Sequence, residues 1–408
     1  MDHPAIALEK CRATAACFFT FKLHYRGKIL LGEIMHLTGF SYTEKSGQPG
    51  YWRLQPMSLK QINLIVGRNA SGKSRTLNVM YALARTLSGK QAPTDGHFVA
   101  NFLHDEQHWR YELNVENAVV VTERLDRENE VLLERARDGT GKIYAAQLAT
   151  RMAFQAPPNT LAASTRVDAI QHPYLQPLVD WANEFFYYPC HTELGKHVIS
   201  IFVTSGQQPD IKDWNQIVHV YRQGEKLFGG RFRASIISDM KEIGYDLTDL
   251  GLSQPTTIQV QAGQGDILSL FVREEGVNAL IDQFSMSIGM FRALAIIIHL
   301  NYGLYSGEAG TIAIDDIGEG LDFDRSSNLI GLVINKINRS KTQLIMTTND
   351  RYVMNGVNLA YWSVLLRKGN EVFVMNPENN KDIFDEFRFT GLSNFDFLAQ
   401  NFAAGVNH

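Results

Sequence analysis

The chain has 408 residues, 45% hydrophobic and 20% charged, with a formal net charge of −4. That is enough for one large domain or two lobes, and the balanced charge forces no association with nucleic acid. Three cysteines, Cys11, Cys17 and Cys190, form no C-x-x-C pair, so there is no zinc-hook signal, and their small number fits a reduced, cytoplasmic setting. No run of about 20 apolar residues is present to span a membrane.

In chain order, Lys10 and Arg12 precede a short apolar run, 13–21, that faintly resembles a signal peptide. Lys22 and His24 interrupt it and no A-x-A pattern follows, so it reads as the first strand region. Segments 29–40 and 51–64 read as strands around a Gly/Ser/Pro-rich loop at 43–50. The apolar run Ile62-Asn63-Leu64-Ile65-Val66 then meets Gly67-Arg68-Asn69-Ala70-Ser71-Gly72-Lys73-Ser74, which is G-x-x-x-x-G-K-S. Leu77, Met80, Tyr81, Ala84 and Leu87 follow at helical spacing. Strand, glycine loop and helix form the context of a phosphate-binding loop. Glycines let backbone N–H groups turn toward the phosphates, and the helix N-terminus adds positive charge. Lys73 would reach the β- and γ-phosphates and Ser74 would bind Mg²⁺.

Segments 98–102, 109–115, 119–125 and 131–144, the last with a turn at Asp138-Gly139, alternate apolar and polar residues as an antiparallel sheet solvated on one side. Pro157-Pro158 breaks the pattern. A helical region including 175–186 follows, and 205–255 reads as an inserted helical arm, too short and too poor in heptads for a long coiled coil. Strand character returns at 257–260 and 267–272.

Phe284-Ser285-Met286-Ser287-Ile288-Gly289-Met290-Phe291-Arg292 opens an apolar helix over 293–300. Ser287 and Gly289 at a helix start form a second anion site; a helix cap at Ser285 or Ser287 is the plainer reading of the same residues, and in this order and spacing both roles are expected at once. Thr311-Ile312-Ala313-Ile314-Asp315-Asp316 is a buried strand running into two acids. Asp315 would hold Mg²⁺ directly or through water, and Asp316 would orient or deprotonate an attacking water. The alternative is an ordinary strand ending in a solvated turn. A hairpin is expected around Lys368-Gly369-Asn370. Phe384, Phe387, Phe389, Phe395 and Phe397 read as core or dimer packing, or as a docking patch. Asp382, Asp385 and Glu386 read as a solvated helix face.

The order phosphate loop, S-x-G-x-x-R, hydrophobic-Asp-Asp resembles the ATP-binding-cassette class, in particular its SMC/RecF/OLD-like branch. The resemblance covers residues 29–150 and 265–376. It implies an α/β P-loop ATPase of ATP-binding-cassette type, a single domain over 1–408 in two lobes. These are a phosphate-loop lobe with an antiparallel β subdomain (29–150) and a signature lobe with the C-terminal hairpin (265–408). A short helical arm is inserted at 151–260. It further implies a head-to-tail homodimer, or a larger assembly, with ATP held between the phosphate loop of one copy and Ser287 and Gly289 of the other. Gln155 is the candidate for the family's Mg²⁺-sensing glutamine.

Two departures from that family stand out. Asp316 replaces the usual glutamate and Asn349 the switch histidine. Asparagine donates a hydrogen bond but takes no proton, and a misplaced base costs about 10²-fold in rate, so slow hydrolysis is expected. The resemblance implies a cytoplasmic ATPase that controls a separate nuclease or toxin, in the manner of anti-phage defence systems. One competing reading is a DNA-repair ATPase using Lys22, Arg26 and Lys28 or Lys226, Arg231 and Arg233 on DNA. The other is the motor subunit of a transporter, against which stand the antiparallel insertion and the altered switch residue.

Overall fold

The computed structural model describes residues 34–202, 210, 212–257, 266–307 and 310–400. The expected strand over 13–21, Cys11, Cys17, the basic residues Lys22, Arg26 and Lys28, and most of the strand at 257–260 lie outside them.

Strands β1 (His36–Glu44), β2 (Trp52–Ser58) and β3 (Ile62–Gly67) lead into helix α1 (Lys73–Leu87). The single expected strand over 51–64 is therefore two, parted at Leu59-Lys60-Gln61. An antiparallel run follows: β4 (Gly96–His104), β5 (Gln107–Glu116), β6 (Val119–Arg127), β7 (Glu130–Arg135), β8 (Thr140–Ala145) and β9 (Thr150–Gln155). Alternation in β4 and β5 puts Phe98, Ala100 and Phe102 beside Tyr111, Leu113 and Val115 on the buried face.

After α2 (Ala162–Thr165) and α3 (Gln176–Asn183) comes β10 (Phe185–Pro189). The helix expected over 175–186 stops early because Phe185-Phe186-Tyr187-Tyr188 is an aromatic, β-prone run that enters the sheet. Strand β11 (Ser200–Phe202), helices α4 (Ile217–Phe228) and α5 (Gly230–Glu242), and strands β12 (Leu247–Ser253), β13 (Asp266–Glu274) and β14 (Ile281–Asp282) precede the long helix α6 (Ile288–Ser306). The rest is β15 (Thr311–Asp315), α7 (Phe323–Ile337), β16 (Gln343–Thr347), α8 (Arg351–Gly356), β17 (Trp362–Lys368), β18 (Glu371–Met375), α9 (Lys381–Phe389) and α10 (Asp396–Ala399).

One sheet runs β10-β15-β16-β3-β17-β18-β2-β1-β4-β5-β6-β7-β8-β9, and β11, β13, β12 and β14 form a smaller one. The first five strands are parallel. All residues of β10, β15, β16 and β3 are buried, as expected of parallel strands covered on both faces. Ile62, Leu64 and Val66 enter one core while Ile65 enters the other. The expected β17–β18 hairpin joins this parallel half to the antiparallel half.

The expected arm does not project. Val218, Tyr221, Phe232, Ile236 and Met240 are buried in one core with Phe291, Leu294 and Ile298 of α6. Gly229, at φ 64°, turns the chain between α4 and α5. A Cβ on Gly224 would lie 2.4 Å from the Phe232 ring, so the two helices meet closely. The polar residues that suggested an arm occupy the outer face of an amphipathic layer. Helix α6 is long and apolar enough to cross a membrane, yet most of it is buried inside the protein. Phe384, Phe387 and Phe397 pack on one another and beside Trp362 as core residues. Phe389 is 91% exposed.

Candidate functional site

The phosphate-loop segment makes the tight turn its glycines anticipate. Gly67 ends β3; a Cβ there would lie 2.8 Å from the Leu365 carbonyl and 2.6 Å from Ser71 Oγ. Gly72 caps α1 at φ 105°, in the left-handed region, and Ala70 also sits at positive φ, 62°. Successive turns of this kind point N–H groups inward as an anion cradle. Arg68, Asn69 and Ala70 are exposed at its rim and Ser74 is half-buried. Lys73 is buried and donates to the carbonyls of Gly67 (3.0 Å) and Arg68 (3.3 Å). Ser71 Oγ is buried without a hydrogen-bond partner. The loop is braced from both sides. Arg367 of β17 donates to the Ala70 carbonyl at 3.0 Å. On the other side, Arg75 lies over the Trp52 ring, 4.4 Å from its centre, and pairs with Glu44.

Strand β15 lies two positions from β3, with β16 between them, so its C-terminal acids share the crest with the phosphate loop. This arrangement matches the rule that parallel sheets place their sites beyond the carboxyl ends of their strands. Electrostatics register the convergence. Burial pushes the Lys73 ammonium below its usual pKa, while Asp316 and Asp315 push it back up. Asp316 has its pKa raised, first by burial and then by Asp315, with Lys73 opposing. Its backbone is left-handed, at φ 56°, a strained state for a residue with a Cβ.

The end of β16 holds these acids in place. Thr347 is fully buried; its hydroxyl donates to Asp315 Oδ1 at 2.5 Å and accepts from the Asp316 N–H at 2.9 Å. Thr348 donates to the Ile317 carbonyl, and exposed Asn349 donates from Nδ2 to Asp316 Oδ1 at 3.2 Å. Asp315 is fully buried, and its Oδ2 has no hydrogen-bond partner.

Strand β10 brings a residue that sequence reasoning missed. Its register pairs Pro189 with Asp315, and the Cys190 N–H continues the ladder to the Asp315 carbonyl at 2.9 Å. Next in the chain, His191 lies with Nδ1 3.3 Å from Asp315 Oδ2. Tyr187 is also buried, and its hydroxyl has its pKa raised by burial and by neighbouring Asp315. Burial lifts the Cys190 thiol to about 12, so it is inert at neutral pH.

Gln155 is not part of this cluster. It is exposed on β9, at the opposite end of the fourteen-stranded order from β10 and β15. Ser287 caps α6, accepting from the Met290 N–H at 3.2 Å, and is itself exposed. A Cβ on Gly289 would lie 2.4 Å from the Gly320 carbonyl, and Arg292 donates to the carbonyls of Glu319 and Thr192. The S-x-G-x-x-R segment thus docks the start of α6 on the loop after β15 while presenting Ser287 outward. Of Lys226, Arg231 and Arg233, which the DNA-binding reading used, Arg233 is balanced by Glu225 and Asp249, each at 3.9 Å.

A divalent cation fits the donors at the crest. A buried, unfilled carboxylate oxygen and a serine hydroxyl at a helix start are hard ligands suited to Mg²⁺. Among the described residues no three His, Cys, Asp or Glu groups converge to hold a metal by themselves. A cation here would therefore share its ligands with a bound phosphate.

No family model matches the chain, and no curated protein matches it in sequence. Similar solved structures include an Smc head bound to the C-terminal winged-helix domain of ScpA, at 12% identity and a TM-score of 0.46, covering 84% of this chain and 99% of that one. Another is the Smc head with an extended coiled coil bound to the C-terminal domain of ScpA from Pyrococcus furiosus, at 12% identity and 0.46, covering 87% and 100%. The SMC head domain from Thermotoga maritima is 13% identical with a TM-score of 0.40, covering 84% and 98%. These are likenesses of outline and decide neither activity nor partner.

Proposed function

We propose that the chain binds ATP with Mg²⁺ at the crest of β3 and β15 and hydrolyses it slowly. The observation that carries this reading is that β3, which leads into Lys73, and β15, which ends at Asp315, lie two positions apart in one parallel sheet, with the charges of Asp315 and Asp316 acting on Lys73. Backbone N–H groups of residues 68–74 would cradle the phosphates. Lys73 would exchange its loop carbonyls for phosphate oxygens. Ser74 and Asp315 would hold Mg²⁺, which neutralises charge on the β- and γ-oxygens.

Asp316 would orient or deprotonate the attacking water, and its raised pKa makes it a stronger base than an ordinary aspartate. Asn349, already bonded to Asp316, would position it and offer a hydrogen bond to phosphate without exchanging a proton. Ser287 and Gly289 of a second copy would close over the γ-phosphate, making ATP a clamp between two copies. The exposed, helix-starting position of Ser287 supports that arrangement. That closure signals to a separate nuclease or toxin, in the cytoplasm and in an anti-phage setting, rests on the sequence resemblance alone.

The test is binding of a fluorescent ATP analogue and phosphate release by the purified chain. Lys73→Ala should abolish binding. Turnover should stay below roughly ten per second, the median for enzymes. Unchanged binding by Lys73→Ala would overturn the nucleotide site, and faster turnover the expectation of slow hydrolysis from the shortened Asp316 and the proton-inert Asn349.

A further inference from the structure

We propose that His191 is a nitrogen ligand of the divalent cation at Asp315, and that it moves the preference of this site from Mg²⁺ toward nitrogen-accepting ions such as Mn²⁺ and Co²⁺. The inference rests on the nucleotide reading above and adds to it a residue and a selectivity.

The geometry carries it. His191 Nδ1 and Asp315 Oδ2 are 3.3 Å apart, close enough for an ion pair, yet that oxygen makes no hydrogen bond. Two donor atoms bound at about 2.1 Å on adjacent corners of an octahedron stand about 3.0 Å apart. The separation is compatible with two ligands of one ion as well as with a direct ion pair. The other oxygen, Oδ1, is already taken by Thr347, which leaves Oδ2 free to ligate and fixes the carboxylate plane. Backbone pairing through Pro189 and Cys190 fixes where residue 191 emerges beside Asp315.

A second observation points the same way. Tyr187 is 4% exposed, and burial and neighbouring Asp315 raise the pKa of its hydroxyl. A buried hydroxyl beside a buried carboxylate oxygen that makes no hydrogen bond marks a place where a cation or its water completes the set. Asp315 is fully buried while the His191 side chain is 51% exposed, so the imidazole lies on the solvent side of the carboxylate. An all-oxygen site favours Mg²⁺, whereas an imidazole nitrogen raises affinity along the series Mn²⁺ to Co²⁺.

The experiment uses the full chain labelled with ¹⁵N-histidine, loaded with Mn²⁺ and adenylyl imidodiphosphate, and read by pulsed electron paramagnetic resonance. A nitrogen coupling that follows the histidine isotope, and disappears in His191→Gln, is expected. By calorimetry the Co²⁺ over Mg²⁺ affinity ratio should fall about tenfold in His191→Gln. Histidine labelling separates imidazole from the adenine nitrogens, and substitution at an exposed side chain leaves folding intact. If Mn²⁺ binds with nucleotide but shows no histidine coupling, His191 is only a neighbour of Asp315 and the proposal fails alone. If the fluorescent ATP analogue fails to bind the wild-type chain with any metal, the nucleotide reading fails and this proposal with it.

Discussion

Thr347 offers a direct test of how the acidic crest is held. Replacing it with valine keeps shape and burial and deletes one hydroxyl. Two bonds go at once: the donor to Asp315 Oδ1 at 2.5 Å and the acceptor for the Asp316 N–H at 2.9 Å. A hydrogen bond to a charged group contributes about 1.5–3 kcal/mol, and a donor left unpaired costs about 1 kcal/mol or more. Together they predict a loss of about 3 kcal/mol in urea unfolding. Thr347→Ser keeps both bonds and removes one methyl group, at a cost of about 1 kcal/mol. Function should separate the two variants further. With its supporting donor gone, Asp315 can rotate, and loss of such support costs 10–100-fold in metal affinity, roughly. Mg²⁺-dependent nucleotide binding should weaken in Thr347→Val and hold in Thr347→Ser. Wild-type stability and Mg²⁺ dependence in Thr347→Val would refute the claim that Thr347 holds the two acids.

Two further outcomes follow from other parts of the molecule. Ser287→Arg should leave nucleotide binding by one copy intact and block ATP-dependent dimerisation, measured by light scattering; a normal dimer would sink the sandwich arrangement. His299 is wholly buried in α6 beside Tyr188, with its pKa pushed down to about 4 by burial. The unfolded chain takes up this proton near pH 6.5 and the folded chain does not, so stability is lost as pH falls from about 6.5 toward about 4. By pH 5 the deficit from this group is about 2 kcal/mol. His299→Leu should remove that part of the slope, and parallel unfolding-versus-pH curves for the two proteins would contradict it.

Much of the fold was legible because its signals are local. Alternation in β4, β5 and β6 and the continuous apolar runs of β3 and β15 each announce a strand whose environment follows from its pattern. Helices α4 and α5 were legible as helices but not as core. Residues such as Arg222, Gln223 and Lys226 face outward, and only the partner surface of α6 shows that the apolar stripe between them is buried. Strand β10 was lost to the helix before it, because α3 ends only two residues before the strand begins.

The site divides along the same line. The phosphate loop and the Asp315-Asp316 pair are contiguous motifs, and the structure brings them to one crest. Thr347 and His191 belong to no motif, since their place depends on which strands neighbour β15. Sheet order is a tertiary fact. It sets β16 on one side of Asp315 and β10 on the other, and it leaves Gln155 on β9, remote from both. Even so, a signal for His191 was present. Phe185-Phe186-Tyr187-Tyr188-Pro189 is an apolar run that delivers a polar residue just past its end, as Thr311-Ile312-Ala313-Ile314 delivers Asp315. Parallel strands in one sheet end on the same side, so polar residues at the ends of such runs are drawn to a common crest. Searching for a metal ligand by that rule leads to His191 and away from Gln155, which ends an exposed strand in the antiparallel half.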